Sequence, residues 1–282
     1  MKISDLRKQQ HKYHDKLYPY INDWMRHPYT WFKARFYMES SAILVYWCLR
    51  FGIRPNTVTM VYISCGIVGG VLLAIPMKIT IYLAIFIFFS KGIFDWSDGH
   101  LARITNQVSL RGGILDDYGA HINALGFWAG LGFYWVNITD SIIFYYLIPV
   151  LFFFYAADLY QYACLQIIQH ASLESKEILS VDTSSENDVK RSPFKLIRAT
   201  TYIFEHLANI LRGSFPDDRA RTVDLVCLLI ILELNGGISL SWIIFSLFLL
   251  KKFILFIYSG YAIINKNWAE NMVKKIWGKS NG

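Results

Sequence analysis

The side chains of this sequence best suited to chemistry are the carboxylates between residues 95 and 121. The stretch reads DWSDGHLAR and, eight residues later, GGILDDYGAH. Asp95 and Asp98 are three residues apart, so both lie on one face of a helix. Asp116 begins a second segment, on which position 120 lies one turn further along the same face. Two facing helices with such carboxylates form an all-oxygen pocket, which suits Mg²⁺ or Mn²⁺ rather than zinc.

Small and basic residues accompany these carboxylates. Gly99 and Gly112 leave room for a ligand to approach the backbone. Arg103 offers a forked set of donors that matches a phosphate group. Since strongly apolar sequence flanks the stretch on both sides, the residues predict a metal and phosphate site at a membrane boundary.

The composition indicates an integral membrane protein. The 282 residues are 54% hydrophobic and 17% aromatic, with a mean hydropathy of +0.32, which is too apolar for an ordinary soluble domain of this size. The net charge of +7 comes from Lys and Arg residues that bracket hydrophobic segments. Anionic lipid headgroups and membrane orientation account for these charges better than nucleic acid does.

The hydrophobic segments predict an all-α bundle of six transmembrane helices, preceded by an N-terminal amphipathic helix in the interface. The interfacial helix covers 28–51 within an N-terminal cytoplasmic segment, 1–51. The membrane domain, 52–264, contains a cytoplasmic insertion at 171–221, and a basic cytoplasmic tail follows at 265–282. The predicted spans are 57–75, 79–103, 112–137, 141–170, 222–235 and 238–264.

The distribution of positive charge predicts the orientation. Six spans place both termini, the loop 104–111 and the insertion 171–221 on one side of the membrane. Lys78 is the only Lys or Arg residue in the three turns on the opposite side. By the positive-inside rule the carboxylates therefore face the cytoplasm of a multi-pass protein, in the plasma membrane if the source is bacterial or archaeal.

A second short motif precedes the first span. Pro55 and Asn56 mark a helix boundary, and Asn56 or Thr57 can cap the helix that follows.

The spacing D-x2-D-G-x2-A-R-x8-G-x3-D-x3-D resembles the signature of the CDP-alcohol phosphotransferase (CDP-alcohol phosphatidyltransferase) family. The family also commonly has Pro-Asn-x-x-Thr before its first span, matched by Pro55, Asn56 and Thr59. The eighth signature position, an Asp that acts as general base and helps to hold the metals in the family, is Ala120. The other seven positions match at Asp95, Asp98, Gly99, Ala102, Arg103, Gly112 and Asp116.

This resemblance implies a reaction and a set of roles. A substituted phosphate passes from a CDP-linked donor, such as CDP-diacylglycerol, to an alcohol, and CMP is released, in the synthesis of phospholipids or related glycolipids. The alternative within the family is transfer of a CDP-linked head group to a lipid alcohol. A homodimer and two Mg²⁺ or Mn²⁺ ions are implied, with Asp95, Asp98 and Asp116 as metal ligands. The residues implied to bind the nucleotide are Gly99, Ala102, Arg103, Ser109, Gly112, Pro55 and Asn56.

Ala120 leaves three explanations open. It can be an engineered replacement of the catalytic Asp. It can be a natural variant in which His121 or Asn123 replaces the base; helix geometry places Asn123 nearer the Asp116 face, whereas His is the better base. Asp117 is a further substitute, off that face. The chain can also be a pseudoenzyme that binds CDP compounds without turnover.

Ionisable residues within the predicted spans default to a functional or paired role. Lys251 and Lys252 are candidates for contact with the phosphate or the acceptor, while Glu233 is expected near a helix end. A divalent-cation transporter is the alternative of another class. It would explain the carboxylates, but not Gly99 and Arg103 at these spacings, and no internal repeat supports it.

Overall fold

The computed structural model describes residues 2–17, 28–174, 210–211 and 214–264. Within these ranges the chain is helical and contains no strand, so the predicted all-α class is confirmed. The helices are α1 (Ile3–Leu17), α2 (Pro28–Phe51), α3 (Pro55–Ala74), α4 (Lys78–Ser90), α5 (Gly92–Ile104), α6 (Leu110–Thr139), α7 (Ile142–Glu174), α8 (Ala220–Leu234) and α9 (Ser241–Ile264).

Four helical segments are long and apolar enough to cross a membrane: Pro55–Ala74, Lys78–Ile104, Ile142–Tyr160 and Ser241–Tyr261. They correspond to four of the six predicted spans. The other two, 112–137 and 222–235, fall on α6 and α8, which are not among the four. Six spans, and an interfacial position for α2, therefore stay predictions. The tail 265–282 and most of the insertion 171–221 lie outside the described residues.

The chain divides into two compact units. The first comprises Met1–Ile148 with Asp218–Phe245, and the second comprises Pro149–Asp217 with Ser246–Gly282. The predicted segments at 1–51, 52–264 and 265–282 divide the chain differently and stay a prediction. All the candidate carboxylates lie in the first unit.

Glycines bring the backbones of α3 and α6 into contact. A Cβ atom added at Gly66 would lie 2.6 Å from the Cα atom of Asn123, and one added at Gly70 would lie 2.5 Å from the carbonyl oxygen of Gly126. A Cβ atom at Gly126 would in turn overlap the carbonyl group of Gly66. Such small residues allow close approach of helices in a membrane. This contact fixes the distance between the two helices on either side of the site.

Helix α3 begins differently from the sequence prediction. Its first residue is Pro55, the preceding residue Arg54 is extended, and no side chain caps the helix. The prediction that Asn56 or Thr57 caps α3 is therefore wrong. Proline is favoured at the first helical position because it lacks the amide hydrogen that a cap would satisfy there. Asn56 and Thr57 consequently lie inside the first turn.

Helix α1 packs on α2, close to α3 and α5. Buried residues of four helices share one cluster, formed by Leu6, Ala42, Val45, Cys48, Val58 and Leu101. Arg7 and His11 of α1 contact the carboxylate of Glu39 on α2. Partial burial opposes ionisation of Glu39, but these hydrogen bonds hold its pKa below the ordinary value. The charged pair thus helps to hold α1 against α2.

A carboxylate organises the turn between α8 and α9. Glu233 lies in the last turn of α8, as expected. Its Oε1 accepts hydrogen bonds from the amides of Leu240 and Ser241, at 2.8 and 2.7 Å, and its Oε2 accepts one from the hydroxyl of Tyr134 at 3.0 Å. A negative charge at the amides that begin a helix is favourable, so this carboxylate stabilises the start of α9.

Candidate active site

Asp98 is buried on the face of α5 that meets α3. Its Oδ2 atom accepts a hydrogen bond from Thr59 Oγ1 at 2.6 Å, and its Oδ1 atom accepts one from the amide of Gly99 at 2.5 Å. Thr59 Oγ1 also lies 3.3 Å from the carbonyl oxygen of Pro55. The single hydroxyl proton therefore has two acceptors within reach.

Asp95 on α5 and Asp116 on α6 lie close enough for their carboxyl groups to interact. Tyr62 on α3 lies close to both Asp95 and Asp116. Asp116 Oδ1 is buried, and no described residue is its hydrogen-bond partner. Two neighbouring carboxylates repel each other when both are charged, so a bound cation would stabilise this pair. The prediction that these two helices present their carboxylates to one shared metal stays a prediction.

The donor set suits a hard divalent cation because it consists only of carboxylate oxygens. Within the described residues, however, no group of three or more His, Cys, Asp or Glu side chains is arranged to hold a metal ion as it stands. Asp98 directs both oxygens to Thr59 and the Gly99 amide. The unpartnered oxygen of Asp116 beside Asp95 fits the implied metal, and the three-carboxylate assignment stays a prediction.

Arg103 lies at the edge of this site. Its guanidinium carbon lies 3.7 Å from the centre of the Tyr13 ring, and Nη2 donates to Gln10 Oε1 at 3.3 Å. A Cβ atom at Gly99 would be only 3.1 Å from Arg103 Nη1. Gly99 therefore allows the guanidinium to lie back along α5 beside Asp98, where it can reach a phosphate group.

Three of the predicted nucleotide-binding residues border one cavity. It has a volume of about 380 Å³ and is lined by Arg54, Pro55, Asn56, Gln107 and Ser109. Ser109 caps α6, because its Oγ accepts a hydrogen bond from the amide of Gly112 at 3.1 Å. The structure thus brings the Pro-Asn motif next to the start of α6, although the two are more than fifty residues apart in sequence.

The α5–α6 turn completes this arrangement. The amide of Gln107 donates to the carbonyl of Ala102 at 2.8 Å, and Asn106 has a left-handed backbone with φ of 53°. A Cβ atom at Gly112 would lie 3.7 Å from Asn56 Oδ1. The glycine therefore keeps the space next to the asparagine open.

The residues around position 120 differ in burial. Ala120 and Asp117 are exposed on α6, one turn from and adjacent to Asp116, and His121 is half-buried. Asn123 is fully buried, and its Nδ2 donates to the carbonyl oxygens of Tyr62 and Gly119, both at 2.9 Å. Its amide thus holds α6 against α3. The role of Asn123 or His121 as a substitute base stays a prediction.

Part of the chain matches a known protein family. Residues 52–154 match the family model described as CDP-alcohol phosphatidyltransferase. This segment is a CDP-alcohol phosphatidyltransferase domain. No curated protein and no solved structure matches the chain. The domain begins two residues before the extended Arg54 and contains α3 to α6 with the first part of α7.

Two residues of the CDP-alcohol phosphatidyltransferase domain have contacts that the sequence did not predict. Thr59 belongs to the Pro-Asn-x-x-Thr motif, but it contacts Asp98 directly. Tyr62 lies close to Asp95 and was not predicted to take part in the site. Their spacing of three residues places both on one face of α3, which is the signal that could have revealed them. That spacing does not say which helix the face meets.

Lys251 and Lys252 lie outside the CDP-alcohol phosphatidyltransferase domain, in the second compact unit. Lys251 Nζ donates to the carbonyl oxygens of Ser214 and Pro216, at 2.8 and 2.7 Å. Lys252 Nζ lies 3.1 Å from Asp158 Oδ2. Both ammonium groups are thus paired within their own unit, which fits the paired role of intramembrane charges. Their contact with a phosphate or an acceptor stays a prediction.

Proposed function

We propose that this protein transfers a substituted phosphate from a CDP-linked donor to an alcohol, with release of CMP. The observation that carries the proposal is the meeting of Asp95, Asp98 and Asp116 at the junction of α3, α5 and α6, inside the segment that matches the family. CDP-diacylglycerol with a polar alcohol is the preferred pairing, and a CDP-linked head group with a lipid alcohol is the alternative.

Asp95, Asp98 and Asp116 would hold one or two Mg²⁺ or Mn²⁺ ions. When bound, such ions neutralise the pyrophosphate and favour in-line displacement at phosphorus. Arg103 supplies a positive charge beside the carboxylates. The cavity next to Asn56 and Ser109 supplies hydrogen-bonding groups for the nucleotide. These groups bind and orient the donor, which is the larger part of catalysis in phosphoryl transfer.

Ala120 leaves the chain without the carboxylate that would take the proton from the attacking alcohol. A positioned general base contributes about 10²- to 10⁴-fold in rate. The chain is therefore expected to bind a CDP-linked donor and to turn it over poorly. This holds whether Ala120 is an engineered or a natural residue.

The test measures CMP release by the purified full chain in detergent micelles, with CDP-diacylglycerol, Mg²⁺ and a panel of alcohols. Ala120→Asp should raise the rate at least about a hundredfold, the lower end of the contribution of a base. His121→Ala should leave the low rate unaltered. Rapid CMP release by the unaltered chain that is abolished by His121→Ala or Asn123→Ala would instead identify a substitute base. Tight CDP binding without turnover in Ala120→Asp would indicate a pseudoenzyme.

Metal dependence is tested by binding. Asp98→Asn should lose the Mg²⁺-dependent affinity for CDP, while Asp140→Asn, at the far end of α6, should keep it. Asp140 is exposed and has a left-handed backbone that Asn also adopts readily. Equal Mg²⁺-dependent affinities in the two variants would refute the assignment of Asp98 to the metal site.

We also propose that the chain has six spans and forms a homodimer, with the site open to the cytoplasm. The charge distribution around the spans supports this topology. Single cysteines placed within 104–111 and within 137–140 should be labelled from opposite sides of the membrane. Labelling from the same side would refute the topology and leave the chemistry of the site untouched.

A further inference from the structure

Helix α1 lies outside the segment that matches the family, yet it borders the candidate active site. Tyr13 packs against the guanidinium of Arg103, and Gln10 accepts a hydrogen bond from it. Along the same helix, the ring of His14 stacks on Trp96 of α5 at a centroid distance of 4.6 Å. One face of α1 therefore covers the side of α5 that carries Trp96, His100 and Arg103.

A cavity of about 350 Å³ lies between these two helices. It is lined by Gln9, Gln10, Tyr13, His100, Arg103 and Ile104. Arg103 borders both this cavity and the carboxylate site, because its guanidinium passes over Gly99 beside Asp98. A ligand in the cavity would therefore lie next to the place where the donor phosphate is expected.

Two buried side chains of the cavity have unused hydrogen-bonding capacity. His100 is 2% exposed and Gln10 is 1% exposed. Both ring nitrogens of His100 and the Nε2 atom of Gln10 lack a hydrogen-bond partner in the described parts of the chain. Buried polar groups are nearly always hydrogen-bonded in native proteins, and leaving one unpaired costs about 1–3 kcal/mol. These atoms are covered in the structure, so a polar ligand in the cavity pairs with them once the two side chains turn towards it.

The chemistry of these groups narrows the class of ligand. A neutral imidazole offers one donor and one acceptor, the Gln10 amide nitrogen offers donors, and the Arg103 guanidinium offers a planar set of donors. A hydroxyl group can both donate and accept, so a molecule with several hydroxyls matches this set. A negative charge on the molecule would be favoured by Arg103.

We propose that α1 and α5 together form a subsite for the water-soluble alcohol acceptor, in which His100 and Gln10 bind its hydroxyl groups. This inference rests on the proposed transfer reaction and adds the class of acceptor and the helix that selects it. Helix α1 is then a specificity element that the family domain alone lacks.

The test measures equilibrium binding to the full chain in detergent micelles. The probes are glycerol 3-phosphate and myo-inositol, one with and one without a phosphate, and CDP with Mg²⁺ is measured separately. At least one probe should bind. His100→Leu and Gln10→Met should each reduce the affinity for that probe at least fivefold more than the affinity for CDP. Lys8→Met, an exposed change on α1, should alter neither affinity. Two independent variants keep the test valid if one fails to fold.

Each contrary result is distinct. If CDP does not bind the unaltered chain, the proposed transferase function fails, whatever the probes do. If CDP binds but neither probe does, or if the variants bind the probes as well as the unaltered chain does, the acceptor subsite is refuted. An equal loss of CDP affinity would assign the cavity to the nucleotide. A response seen only with diacylglycerol in the micelles would make the ligand a lipid alcohol and overturn the water-soluble assignment.

Discussion

The contact between α3 and α6 allows a sharp test of how the site is positioned. In Gly66→Ala, the new Cβ atom would lie 2.6 Å from the Cα atom and 2.9 Å from the backbone nitrogen of Asn123. Carbon atoms pack without strain at about 3.5–4.0 Å. Because the nearest of these atoms belong to the backbone, no change of rotamer relieves the overlap. The two helices must therefore separate locally by roughly 1 Å.

The separation has an energetic and a functional cost. Overpacking of a well-packed contact destabilises by about 1–3 kcal/mol. At about 2–4 °C per kcal/mol for a chain approaching this size, the melting temperature should fall by roughly 2–12 °C. Helix α3 holds Asp98 through Thr59, and α6 carries Asp116, so the separation also moves Asp116 away from Asp98. A misplacement of about 1 Å can reduce a rate by about 10²-fold.

The assay is thermal unfolding in detergent, together with the Mg²⁺-dependent affinity for CDP. Gly113→Ala is the matched control, because it lies on α6 and a Cβ atom there would meet no other atom within 4 Å. This control should keep or slightly raise the melting temperature, since alanine is the better helix former. If Gly66→Ala has the same melting temperature as the unaltered chain and binds CDP equally well, the close contact of α3 with α6 is wrong.

Two further predictions concern the ends of the first unit. Glu233→Gln keeps one acceptor oxygen but loses the negative charge that holds the amides of Leu240 and Ser241. The free energy of unfolding should therefore fall by about 1–3 kcal/mol. An unchanged melting temperature would contradict the capping role of Glu233. The lowered pKa of Glu39 means that its contribution to the docking of α1 is present above the unfolded pKa, about 4.3, and is lost as the pH falls through the lower folded value. The protection factors of the α1 amides, which compare each exchange rate with the intrinsic rate at the same pH, should therefore fall at acidic pH. In Glu39→Gln these factors should be low and should not change with pH in this range. Protection in Glu39→Gln that still falls at acidic pH would contradict this role of Glu39.

The part of the site that could be predicted from sequence is the part set by local spacing. Asp95 and Asp98 share a helix face, and Gly66 and Gly70 form a packing surface, because one helical turn determines both relations. Other contacts depend on which helices become neighbours. These are the contact of Thr59 with Asp98, and the glycines of α6 that face Gly66 and Gly70. Spacing within one helix carries no information about its partner, so these contacts required the structure.

The prediction that failed has a similar cause. Asn56 and Thr57 are good capping residues, but Pro55 occupies the first helical position and moves the start of α3 ahead of them. The position of α1 could not be predicted either. This helix belongs to the predicted N-terminal cytoplasmic segment, yet Leu6 and Gln10 are buried within the first unit. The apolar positions on α1 are too few to indicate a binding face by periodicity.

The hydroxyl of Thr59 links the two halves of the candidate site. It holds one proton and has two acceptors, Asp98 Oδ2 at 2.6 Å and the Pro55 carbonyl at 3.3 Å. A ligand that takes over the Asp98 oxygen leaves the proton to Pro55, in the turn that lines the cavity next to Asn56. Binding at the carboxylates is then coupled energetically to binding in this cavity. By reciprocity, whatever binds in the cavity changes the affinity of the carboxylates for their ligand by the same factor.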